Sequence, residues 1–125
     1  MANELILLVE DNDKNRKLAR DVLQVKGYRV IEAESAEAGL VLAAEQQPDL
    51  VLMDIHLPGM DGLQALTRMR EGPATRAIPV IAFTASVMPQ ERSKIKAAGF
   101  DALIAKPIDL KEFVATITTL LKDKA

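Results

Sequence analysis

Five short apolar runs, separated by stretches with helical periodicity, constrain this chain more than any other feature. The runs are LILLV (5–9), YRVI (28–31), LVLM (50–53), PVIAF (79–83) and ALIA (102–105). Runs of this length alternating with helical patterns predict repeated strand–helix units around a parallel sheet. Four runs are apolar throughout, as strands covered on both faces require. Arg29 interrupts the second, which predicts an edge strand.

Helices are expected near 14–26, 36–46, 62–70, 89–98 and 110–122. In the last, Leu110, Phe113, Val114, Ile117 and Leu121 share one stripe, with Lys111, Glu112 and Lys122 off it. Asp61 with Gln64, and Asp109 with Glu112, have the spacing of N-terminal capping boxes. Gly27 and Gly99 stand where helices should end. Five strand–helix units fill residues 1–125 as one domain, a length sufficient for one core without staples.

Composition excludes several classes. A net charge of −2 supplies no overall positive field for nucleic acid or an anionic membrane. The chain has no cysteine, hence no disulfide and no thiolate metal site. The start, MANELILLVEDN, lacks the basic end and long apolar region of a signal peptide, and no run approaches membrane-spanning length. A cytoplasmic location is expected.

The polar residues that follow the runs carry the functional signal. Glu10 and Asp11 follow the first, Asp54 the third, Thr84 the fourth and Lys106 the fifth. Glu32 follows the second, but on an edge strand it need not reach the others. Ligands of open parallel sheets bind at the carboxyl ends of strands, so three acids, a hydroxyl and an ammonium converge on one edge. Three close carboxylates must share protons or bind a cation. With oxygen ligands alone, Mg²⁺ is the natural ion, and it leaves room for a phosphate. A carboxylate beside such an ion can attack phosphorus, while Lys106 and Thr84 hold a phosphoryl oxygen. Ala85 is small enough to leave space, and Gly59 and Gly62 allow a sharp turn after Asp54. Each residue also has a bland reading: an acid as a turn or cap, Thr84 bonding its own backbone, Lys106 as a solvated strand end. Joint placement favours chemistry.

LLVEDN, LVLMDIHLPGMDG, PVIAFTA and AKP, in this order, resemble the receiver domain of two-component response regulators over about residues 4–122. The expected fold is a flavodoxin-like, doubly wound five-stranded parallel sheet of order 2-1-3-4-5. The resemblance implies that Asp54 accepts a phosphoryl group from a histidine kinase or histidine phosphotransfer protein. It implies that Asp11 binds Mg²⁺ directly, Glu10 acts at the metal through water, and the His56 carbonyl supplies another ligand. Thr84 would move toward the phosphate and Lys106 would pair with it. A cis peptide before Pro107 is implied as well.

One departure stands out. Receivers often carry Tyr or Phe three residues before the lysine, and here that position is Leu103. The aromatic form of the switch is absent. His56, the one histidine, either lies across the site mouth, where the resemblance implies that it and Ser86 tune phosphate lifetime, or is an exposed loop residue. The basic residues Lys14, Arg16, Lys17 and Arg20 form a solvated face or a docking face on the first helix.

The expected function is that of a stand-alone phosphorelay response regulator. It would catalyse only its own phosphorylation and dephosphorylation, and signal through a protein target or onward transfer. A haloacid dehalogenase-type phosphohydrolase uses similar parts, but wants an acid where His56 stands. A nucleotide or flavin module would need a glycine-rich first turn, and this one is acidic.

Overall fold

The computed structural model describes residues 3–85, 88–106 and 108–124, with side chains through residue 122. Five strands, β1 (Leu5–Val9), β2 (Arg29–Ala33), β3 (Leu50–Asp54), β4 (Val80–Thr84) and β5 (Ala102–Ala105), alternate with five helices. These are α1 (Asp13–Val25), α2 (Ala36–Gln46), α3 (Gly62–Glu71), α4 (Pro89–Ala98) and α5 (Leu110–Lys124). All pairings are parallel and the strand order is β2-β1-β3-β4-β5, the order expected from the sequence.

Side chains alternate between the two faces, as a strand's period of two demands. Leu7, Val9, Val51, Met53 and Val80 pack on Ala36 and Ala43 of α2 and Ala65, Leu66 and Met69 of α3. Ile6, Leu8, Leu50, Leu52, Ile81 and Phe83 face Ala19 and Leu23 of α1 and Phe113, Ile117 and Leu121 of α5. A third, small cluster joins Ile55 and Ala82 to Ile95 of α4, with Leu63, Phe100 and Leu103 beside it.

Several boundaries move for physical reasons. β2 begins at Arg29, because the Tyr28 amide closes the turn after α1 by donating to the Leu23 carbonyl (3.1 Å). Glu32 is inside that strand, paired with Leu8. β3 and β4 each run one residue further than the apolar pattern, so Asp54 and Thr84 close their strands. β5 is also an edge, and its burial is correspondingly incomplete. Leu110 departs from the expected stripe. It is 55% exposed and lies with Val22 and Val25 along a groove between α1 and α5.

One capping signal is realised in full and the other by its first half. Asp61 and Gln64 form a reciprocal capping box on α3, and Asp109 Oδ1 accepts from the Glu112 amide at 3.1 Å. Gly99 caps α4 with φ +104°, and Gly27 follows the α1 cap with φ +93°, left-handed values that favour glycine.

Candidate functional site

Register explains why the site residues meet. Val9 lies opposite Met53, Asp54 opposite Phe83, and Thr84 opposite Ala105. One residue further along, Glu10 and Lys106 therefore flank Asp54 and Thr84 at the carboxyl edge. The Glu10 amide extends the ladder to the Ala33 carbonyl (3.0 Å), and the Lys106 amide extends it to the Thr84 carbonyl (2.9 Å).

The three carboxylates are crowded; Glu10 and Asp54 are shielded from solvent, and Asp11 is exposed. Glu10 and Thr84 are fully buried and Asp54 is 3% exposed. One carboxylate oxygen from each of Glu10, Asp11 and Asp54 lies within 4.8 Å of the others. Lys106 Nζ is 2.7 Å from Glu10 Oε1 and 3.2 Å from Asp54 Oδ2. The other Asp54 oxygen, Oδ1, accepts from the His56 amide at 3.0 Å. Glu10 Oε2 accepts from the Asn12 amide at 3.1 Å. Burial pushes the Glu10 carboxyl up to about 7; the Lys106 ammonium opposes this shift, and the neighbouring Asp54 carboxyl adds to it.

The donor set fits a hard divalent cation. Glu10 Oε1 is buried without an aligned hydrogen-bond donor, since the close Lys106 ammonium lies off a good hydrogen-bond geometry. A buried carboxylate oxygen left so, between two further acids, is a position a cation can satisfy.

Three contacts around the site were missed in the sequence, and two of them carry little signal there. Arg16 Nη1 donates to the Glu10 carbonyl (2.9 Å), while its guanidinium also meets Asp13 (2.6 Å) and Glu32 (3.4 Å). The basic first helix thus supports the acid loop at Arg16. Lys106 Nζ sits 4.8 Å from the centre of the Phe83 ring, which packs tilted against Phe113 with centroids 6.4 Å apart, within cation–π range. Asn12 caps α1 by accepting from the Asn15 amide (3.0 Å). This last was readable, because an asparagine directly before a helical pattern is a capping signal.

The loop after Asp54 holds its glycines for two different reasons. Gly59 has φ +76° and turns the chain. Gly62 does not serve the turn through such a φ. A Cβ there would meet the Asp54 carbonyl oxygen at 2.5 Å and Ile55 Cα at 2.9 Å, so its role is close approach of α3 to the end of β3. His56 is 58% exposed, and its Nε2 reaches Glu91 Oε1 of α4 at 2.7 Å. Glu32 stays outside the cluster, paired with Arg16 and Arg20. Ser86 and the peptide before Pro107 lie outside the described residues.

A doubly wound sheet with an acid cluster and a lysine at its carboxyl edge defines a class, and comparison with known proteins names it. Residues 6–118 match the response regulator receiver domain. The chain belongs to this family. It is 42% identical over 118 residues to the polar-differentiation response regulator DivK of Brucella ovis, covering 94% of this chain and 96% of that one. A putative response regulator from Chloroflexus aurantiacus superposes with a TM-score of 0.91 at 30% identity, covering 96% and 98% of the two chains. The receiver domain of a Pseudomonas aeruginosa sensor histidine kinase, with magnesium coordinated in its active-site cleft, gives 0.89 at 32% identity, covering 96% and 98%. The function is that of a two-component phosphorelay response regulator. Among the described residues, no helix is long and apolar enough to cross a membrane.

Proposed function

We propose that Asp54 is the phosphoacceptor of this response regulator, and that Lys106 and Thr84 hold the transferred group. The observation that carries this reading is the Asp54 carboxylate. It closes the central strand, is 3% exposed, lies 3.2 Å from the Lys106 ammonium, and stands within the three-acid cluster. In the transfer, an Asp54 carboxylate oxygen bonds to phosphorus as the bond from phosphorus to the donor imidazole nitrogen breaks, its electron pair leaving with the nitrogen. Lys106 orients Asp54 before transfer and offsets charge on a phosphoryl oxygen after it. Thr84 is buried one residue from the Asp54 register position, where its hydroxyl can donate to a second oxygen.

Glu10, Asp11, Asp54 and the His56 carbonyl would hold Mg²⁺, which when bound offsets negative charge on the phosphoryl oxygens. The magnesium of the Pseudomonas domain supports this assignment. The donor is a histidine kinase or histidine phosphotransfer protein of the cytoplasm. Output runs through a protein target or onward transfer, and the chain's own catalysis extends to gaining and losing the phosphoryl group. Residues 1–125 act as one domain, with a core over about 4–122.

Acetyl phosphate with Mg²⁺ should label the wild type at one acid-stable, base-labile site, and leave Asp54→Asn unlabelled. Undiminished labelling of Asp54→Asn moves the acceptor elsewhere.

A further inference from the structure

The β3–α3 loop and α4 are joined at one point beside the acceptor. His56 donates its amide to Asp54 Oδ1 (3.0 Å), and its imidazole Nε2 lies 2.7 Å from Glu91 Oε1 in the first turn of α4. That Glu91 oxygen is buried and has no aligned hydrogen-bond donor among the described residues, so its 2.7 Å approach to the imidazole is a close polar contact. Asp11, His56, Met88 and Glu91 line one open cavity between the loop and α4, of about 1210 Å³. The pair spans this cavity next to the acceptor.

An acid in the first turn of a helix has an ordinary role, offsetting the positive end of the helix dipole. That role is met by an acid facing solvent. Glu91 instead turns an oxygen inward to a side chain of another element, on a helix whose buried side chain among the described residues is Ile95. From this geometry we infer that Glu91 is a positioning residue. It pins the His56 imidazole across the α4 side of the site mouth and thereby slows loss of the phosphoryl group from Asp54.

The inference rests on Asp54 as the acceptor. In the hydrolysis it governs, a water oxygen bonds to phosphorus and the bond from phosphorus to the Asp54 oxygen breaks. The electron pair stays on the carboxylate, and a proton from the water passes to the phosphate or to solvent. Water must approach phosphorus on the side away from Asp54. An imidazole fixed over the mouth limits that approach, and one released by loss of Glu91 does not.

The test follows decay of the acyl phosphate after acetyl phosphate and Mg²⁺ are removed, in the full chain. Glu91→Ala should lose phosphate about fivefold faster, a factor that one polar contact can carry. Glu91→Gln keeps a side chain of the same shape with a polar oxygen for the contact to Nε2, and should decay at close to the wild-type rate. In a His56→Ala background, Glu91→Ala should add nothing, because its effect passes through the imidazole. A Glu91→Ala rate equal to the wild type overturns the inference. So does a Glu91→Ala effect that persists undiminished without His56, or a Glu91→Gln rate as fast as Glu91→Ala. Should the wild type take no label that Asp54→Asn lacks, the acceptor assignment itself fails, an outcome visible before any decay is measured.

Discussion

Glu10 is the residue whose charge state the fold alters most clearly. Burial raises its carboxyl from an ordinary 4.5 to about 7. Between those values the folded chain holds a proton that the unfolded chain has released. This group's contribution to stability therefore falls as pH rises through that window, and is fully present below it. A divalent cation reverses the preference by favouring the charged form. In the presence of a chelator, urea unfolding should give a lower midpoint above about pH 7 than near pH 5 for the part due to Glu10, and Glu10→Gln should flatten that slope. Mg²⁺ should raise the midpoint at the higher pH. Parallel pH slopes for wild type and Glu10→Gln would remove Glu10 as the cause. The acid pair and Asp54 were legible because each follows an apolar run. The upward shift of the Glu10 carboxyl was not, since burial is set by the elements that close over it.

At the scale of elements, α3 bears most directly on the proposed acceptor, Asp54. Its first residue, Gly62, packs against the carbonyl of Asp54, and the reciprocal Asp61–Gln64 capping box holds that end in place. The capping box could be read from spacing, as could the left-handed turn at Gly59. The need for glycine at 62 could not, because a turn glycine and a close-approach glycine look alike in a sequence. Gly62→Ala would drive a methyl into backbone at 2.5 Å, with no flexible side chain to give way. A loss of about 1–3 kcal/mol is expected from urea unfolding, together with weaker beryllofluoride binding at Asp54. Stability within about 0.5 kcal/mol of wild type would show that α3 can move away freely.

Across the whole molecule, packing is uneven. The clusters beneath α2 with α3 and beneath α1 with α5 are extensive, whereas α4 rests on Ile55, Ala82 and Ile95 with a few half-buried neighbours. Leu103, standing where receivers often carry an aromatic residue, belongs to that small patch. Sparse burial implies low local stability. Hydrogen exchange should therefore release amides of 89–98 before those of α1, α3 and the central strands. Protection of α4 equal to that of β3 would contradict this ranking. The apolar runs determined the strands, and their helical spacers determined the fold class, because periodicity is a local property of the chain. The same locality put Glu10, Asp54, Thr84 and Lys106 at strand ends. Tertiary structure alone decided which oxygens face Lys106, that Phe83 lies against its ammonium, that Leu110 stays exposed, and that Glu91 meets His56. Those contacts join residues far apart in the chain, and register and helix packing, not spacing, set their distances.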